Sequence, residues 1–182
     1  MRTRTQRHKT GSTVMSEFAA GTCILVCFLL IPIFNIAFLP VRFMISNGVI
    51  SELTHRLSHC DTRTESYKVM TGDTWWRNTL AKCGVTTSGE QLTLLISSSD
   101  GSRSVALKQG EVVPSEWLPG GKNAPCIYSL ETRMNCSADP LFKTTSIDIS
   151  GLTKPVTLSM TGRSQWENLS RDPRTLAYYI NE

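Results

Sequence analysis

The chain is expected to fold as an α+β protein: a long N-terminal transmembrane and amphipathic helix, then a small, mainly antiparallel β domain with disulfides. Three observations predict this. Residues 18–41 read FAAGTCILVCFLLIPIFNIAFLPV with no charged side chain, and a helix needs about 20 such residues to cross a hydrocarbon core. Past residue 84 the apolar spacing changes from helical to alternating. Four cysteines, Cys60, Cys83, Cys126 and Cys136, lie in that later part.

Arg2, Arg4, Arg7 and Lys9 precede the apolar run. Flanks rich in Lys and Arg stay in the cytoplasm, so residues 1–17 read as a basic cytoplasmic leader and the remainder faces outward. A cleaved secretory signal fits less well, because its apolar region spans only about 7 to 15 residues. Pro32 and Pro40 should bend the span, since proline removes a backbone donor and clashes with the preceding turn. Beyond Arg42, the residues Phe43, Val49, Ile50, Leu53 and Leu57 recur at three- and four-residue steps, the stripe of an amphipathic helix. The helical region is therefore 18–59, and residues 60–182 form an extracytoplasmic α+β domain.

Within that domain a second helix of about three turns is expected, with Asp73 as N-cap, Trp75, Trp76, Leu80 and Cys83 following, and Gly84 as the stop. Leu92, Leu94 and Ile96 alternate with polar residues, Asp100-Gly101 makes a turn, and Val105 and Leu107 alternate again, so a hairpin follows. Residues 110–125 read as a long loop with Trp117 and Leu118 tucked beneath it. Further strands are expected at 127–134, 145–149 and 156–160. Leu176, Tyr178, Tyr179 and Ile180 supply a short terminal strand or helix.

Charge excludes one class of partner. The formal net charge is +4, and the four basic residues of the leader account for it; from Phe43 onward acids and bases balance. Nucleic-acid binding requires clustered Lys and Arg, so no nucleic-acid partner is expected. Four outward cysteines in an oxidising compartment imply two bridges. Cys60 with Cys83 and Cys126 with Cys136 are favoured because each closes a local loop, although three connectivities are open. Zinc binding by these thiols is disfavoured because no CxxC pair exists.

The junction RHKTGSTVMSEFAAGTCILVCFLLIPIFNIAF sets basic residues, a glycine and a short neutral stretch before Glu17-Phe18 at the mouth of the apolar helix. This resembles the TadE-like pseudopilins of the Flp (Tad) pilus machinery. The resemblance covers about the first fifth of the chain. It implies cleavage by a prepilin peptidase with Gly11 as the last leader residue and Ser12 as the new N-terminus. It also implies that Glu17, followed by Phe18, is the pilin-type glutamate, one residue later than its usual fifth place. A carboxylate at the edge of an apolar helix is costly unless paired, and in such assemblies the partner is a neighbouring subunit's freed amine.

His55 and His59 stand one helical turn apart with Glu52 and Cys60 nearby, but without a third ligand at comparable spacing a solvated face is the simpler reading. No GxSxG, HExxH or nucleophile signature is present, so no catalytic residue, metal or cofactor is assigned and no enzyme is expected. Trp75-Trp76 should place at least one ring in the core. The sequons at Asn135 and Asn168 would accept glycans only in a eukaryotic host. The expected role is a minor pseudopilin-like assembly subunit in the inner (cytoplasmic) membrane. Its C-terminal domain would be periplasmic or extracellular, and its partners other pilin-like or secretion-system subunits. The alternative is an uncleaved, signal-anchored binding or scaffold domain of another secretion or conjugation complex.

Overall fold

Helical conformation is already established at Arg7 and is interrupted only once before Ser58: α1 covers Arg7–Leu25, a π-helical turn covers Val26–Leu30, and α2 covers Ile31–Ser58. The computed structural model describes residues 7–141, 149–150 and 153–181, with side chains from Thr13 onward. After α2 come α3 (Arg63–Gly72), α4 (Trp75–Lys82), β1 (Val85–Ser98), β2 (Ser104–Leu107), β3 (Cys126–Ala138) and β4 (Val156–Gln165). The chain divides into two compact units, Met1–Val41 with Pro140–Pro155, and Arg42–Asp139 with Val156–Glu182. The expected α+β class, a long apolar helix and a small antiparallel sheet, is what forms.

In the first unit the π turn answers Pro32. Proline lacks an N–H and its ring collides with the carbonyl four residues back. Here the Ile31 N–H reaches the carbonyl of Val26, five residues back, and the widened turn makes room for the ring. Pro40 lies inside α2, which remains helical through it.

In the second unit four antiparallel strands are ordered β2-β1-β3-β4. Alternate residues of β1 and β3 face the core, so Leu92, Leu94, Ile96, Tyr128, Leu130 and Met134 are buried, as is Trp166 just past β4. The α2 residues Ile50, Leu53 and Leu57 join them, as their spacing predicts. Three small polar residues on the same stripe, Ser46, Thr54 and Ser58, are equally buried. Each hydroxyl is satisfied within the helix, by the carbonyls of Arg42 at 2.9 Å, Ile50 at 2.8 Å and His55 at 2.8 Å respectively.

Their size matters because Gly162 of β4 lies against them. A Cβ built on Gly162 would stand 2.4 Å from Thr54 Oγ1 and 2.9 Å from both the Cγ2 and the carbonyl oxygen of Ile50. Helix backbone and strand backbone are therefore in direct apposition. One turn further on, Ser58 Oγ accepts from the Ser164 hydroxyl at 2.9 Å. In the register Gly162 pairs with Thr132, which pairs with Leu92, so the close approach falls partway along β4, the strand at one edge of the sheet.

The sheet begins earlier than the alternation predicts. Gly84, at φ +69°, ends α4 as expected, and β1 starts at once with Val85 and carries an irregularity between Ser88 and Gln91. That irregularity breaks strict alternation, which hides residues 85–91 from a period-2 reading. The Asp100-Gly101 turn forms. Asp100 accepts from the Ser102 N–H and hydroxyl at 3.0 and 2.9 Å, and these bonds hold its carboxyl down at about 2.

Helix α3 is absent from the sequence expectations although its start is encoded. Thr62 Oγ1 accepts from the Glu65 N–H at 3.1 Å, and Glu65 Oε2 accepts from the Asp61 N–H at 3.1 Å, a reciprocal cap of the T-x-x-E kind. Asp73 is then the C-cap of α3 rather than the N-cap of the next helix, and α4 has 8 residues, nearer two turns than three.

The long loop is held by α3. The buried Arg63 guanidinium donates to the carbonyl oxygens of Glu111, at 2.8 Å, and Lys108. Trp117 is buried in a 3-10 turn, Ser115–Trp117, and its carbonyl accepts from the Tyr128 hydroxyl at 2.7 Å. The C-terminal residues dock through a 3-10 turn, Tyr179–Asn181, that buries Ile180, while Leu176 stays exposed. The strand expected at 145–149 falls largely on residues 145–148, outside those described; the strand expected at 156–160 forms and extends to Gln165.

Two outcomes follow from this packing. Gly162→Ala should destabilise the folded domain by about 1–3 kcal/mol, the usual cost of overpacking, and a thermal melt should show Tm falling by several degrees. Thr54→Ala should recover only part of the loss, because the Ile50 carbonyl stays in the way. Burial pushes the Tyr128 hydroxyl up to about 12 from 10.0, with smaller contributions from Cys126 and Tyr178. A raised folded-state value means this stabilisation is complete below about pH 10 and is lost as pH climbs toward 12. Denaturant midpoints across that window should fall more steeply for the native chain than for Tyr128→Phe.

Candidate functional site

The described residues contain one helix, Thr13–Ser58, long and apolar enough to cross a membrane, with a mean hydropathy of 2.6 in its most apolar window. Only 6% of that window is buried, in contrast to the far end of the same helix, where Ile50, Leu53 and Leu57 lie in the core. Its polar groups are handled as lipid requires: the Ser16 hydroxyl donates to the Thr13 carbonyl at 2.8 Å and the Thr22 hydroxyl to the Phe18 carbonyl at 2.8 Å.

Gly11, Ser12, Glu17 and Phe18 all fall on α1. Glu17 is exposed and Phe18 is 74% exposed. The carboxylate therefore projects from a helix surface that then runs apolar for more than twenty residues. Ile31, Pro32, Asn35 and Leu39 are covered to differing degrees, Asn35 almost completely. The opposite side, with Ile33, Phe34, Ile36, Phe38 and Val41, stays open.

The chain matches no protein-family model, no curated protein and no solved structure. Function must be argued from the chain's own chemistry.

No disulfide is formed among the cysteines. All six are free thiols. Cys60 follows α2 with its thiol toward the Arg56 carbonyl at 3.7 Å, Cys83 caps α4, and Cys126 opens β3 with its thiol 3.2 Å from the Asn123 carbonyl. Cys136 is buried near the other end of β3, between Thr87 and Leu158. The pairing of Cys126 with Cys136 is thereby corrected. Ten residues of extended strand separate them by roughly 33 Å, whereas bridged Cα atoms lie within about 7 Å. Loop length favoured that pair only on the assumption of a turn between the two cysteines. Burial raises the thiols of Cys60, Cys126 and Cys136 above their ordinary value, which lowers the thiolate population needed for nucleophilic chemistry.

Trp76 is fully buried and Trp75 partly so, with Arg77 and Arg56 stacked over the two rings at 4.3 and 4.5 Å. The pair packs rather than presenting a patch. Among the described residues, no group of three or more His, Cys, Asp or Glu side chains could hold a metal ion. A groove of about 320 Å³ lies beside Tyr67, Met70, Leu92 and Lys108, and a smaller one beside Arg63 and Glu111. Neither is lined by Ser, Cys or His. Arg63, the residue that organises this region, gave no signal in the sequence, because an arginine on a polar stretch reads as solvated.

The strand geometry has a direct consequence. Peptide mapping of the chain under non-reducing conditions should never recover Cys126 and Cys136 in one disulfide, even after forced oxidation of the folded protein; recovery of that pair would contradict the β3 assignment.

Proposed function

We propose that the chain is a pilin-like, membrane-anchored assembly subunit: its N-terminal helix packs among other subunits, and the Arg42–Asp139 and Val156–Glu182 unit is displayed outside the cytoplasm. One observation carries the reading. Large apolar side chains are exposed along the helix from Val14 to Ile45, a length of about 47 Å at 1.5 Å per residue. A bilayer core covers only about 30 Å, and even a tilt of 40° leaves about 36 Å to cover. The surplus needs protein against it, and another helix of the same kind matches its shape.

Glu17 supports the same reading. A carboxylate at the start of a lipid-exposed surface is stabilised by a partner charge, and the amine freed by cleavage between Gly11 and Ser12 is the partner that the TadE-like resemblance implies. In this view the leader's basic residues hold the N-terminus in the cytoplasm, and a prepilin peptidase and pilin-like or secretion-system subunits are the partners. An outward domain also carries the expectation that its cysteines oxidise, with Cys60 and Cys83 the pair retained.

A second reading is an uncleaved, signal-anchored binding or scaffold domain of a secretion or conjugation complex. Its support is the continuous helix across Gly11 and Ser12, a turn that must open before a peptidase can act. Glycine makes that opening easier, by about 1 kcal/mol relative to alanine.

Intact mass of the chain from its native membrane separates the two. A product beginning at Ser12 is expected, with Gly11→Val accumulating the longer form. Glu17→Ala should be processed normally yet fail to join higher-order complexes on crosslinking through a cysteine placed at Phe34. A mature chain beginning at Met1 would reject the pilin-like reading in favour of the anchored scaffold.

A further inference from the structure

The four-stranded sheet ends in two unlike edges. One is β2, only 4 residues long. The other is β4, 10 residues long, which pairs with β3 at every position from Val156 to Gln165 with no irregularity in the register. An exposed edge is a row of unpaired N–H and C=O groups, and chains blunt it by shortening the strand or by adding bulges, proline or repeated charge. β2 is short. β4 has no bulge, no proline and a single charged residue, Arg163.

The register identifies the backbone groups on offer. Trp166, just past β4, donates its N–H to the Tyr128 carbonyl at 3.0 Å. It therefore stands in a hydrogen-bonded pair with β3, and along an antiparallel ladder such pairs alternate. Ser164, Gly162, Met160 and Leu158 continue the series toward β3, so the N–H and C=O groups of Thr157, Ser159, Thr161, Arg163 and Gln165 point to the open side. Among the described residues, no backbone group outside β3 bonds to β4.

The side chains along this edge have two characters. Leu158, 46% exposed, and the half-buried Met160 lie on the core side of the sheet, whereas Thr157, Ser159, Thr161 and Arg163 lie on its solvent side. Arg163 stands opposite Glu131 in the register, yet it donates to Ser129 Oγ at 3.3 Å and forms no ion pair among the described residues. We propose that β4 is a docking edge for an extended segment of another protein. The segment adds a fifth strand, sets apolar side chains beside Leu158 and Met160, and places a carboxylate against Arg163. Main-chain hydrogen bonds supply the affinity and alternate side chains the specificity. A second copy of β4 is the poorer occupant, because the strand contains no acidic residue and self-pairing leaves both arginines without a counter-charge. This surface belongs to the displayed unit and is independent of leader processing and of helix packing.

The test follows backbone amide hydrogen exchange, residue by residue, in the full-length chain in detergent micelles. The probe is a synthetic peptide as long as a typical strand, alternating valine with threonine and carrying one central glutamate. In the free chain the amides of Ser159, Thr161 and Arg163 should exchange fast, while those of Leu158, Met160, Gly162 and Ser164 are protected. Adding the peptide should slow the first set. Arg163→Glu should weaken peptide binding by about tenfold, because an attractive cross-strand pair becomes a repulsive one, and a peptide with lysine in place of glutamate should restore it. Thr161→Pro, which removes an outward N–H and leaves the β3 ladder whole, should abolish the protection conferred by the peptide. Slow exchange at Ser159 and Thr161 in the free, dilute chain would mean that the edge is already covered, and would overturn the proposal. Protection that grows with chain concentration alone would overturn it in favour of a second copy. Absence of peptide binding, or binding that leaves exchange in β4 unchanged, would also overturn it.

Discussion

Everything in the second unit is arranged around one contact, the apposition of α2 with β4 at Gly162. A helix normally rests on a sheet through a layer of side chains. Here the strand has none at the contact, and the helix offers Thr54 with Ser46 and Ser58 on the same stripe. Burying three hydroxyls is tolerable only because each donates within the helix. The large apolar residues flanking this line, Ile50, Leu53 and Leu57, are then pressed into the surrounding core, where Leu92, Leu94, Leu130 and Trp166 complete the packing. The same closeness brings Ser58 within reach of Ser164 and sets Glu167 beside His59.

A second constraint comes from α3, which touches the sheet edge and the long loop together. The Tyr67 hydroxyl donates to the Leu92 carbonyl at 2.7 Å, and Arg63 donates to two loop carbonyls. A buried guanidinium is costly unless its donors are satisfied, and backbone carbonyls satisfy it without a second buried charge. The loop thereby gains an ordered course with little regular structure of its own. By contrast the helix of the first unit absorbs a proline in a π turn and leaves its apolar surface open.

The sequence by itself determined the elements whose signal is local. The apolar run, the basic flank, the Asp100-Gly101 turn, the stop at Gly84 and the inward positions Ile50, Leu53 and Leu57 follow from spacing or from backbone preference, and distant residues do not enter. The start of α3 belongs in this group as well, since Thr62 and Glu65 form its cap across three residues. Tertiary structure alone decided the rest. Gly162 reads as a weak point in a strand until a helix lies against it, and Thr54 reads as a polar interruption until its neighbour is known to be a glycine. Arg63 is indistinguishable from a solvated arginine until the loop passes over it. Cys126 and Cys136 look like neighbours until the segment between them is known to be extended, and His59 and Glu167 look unrelated until β4 returns beside α2. In each case the deciding quantity is a distance between residues far apart in the chain, which spacing along the sequence does not encode.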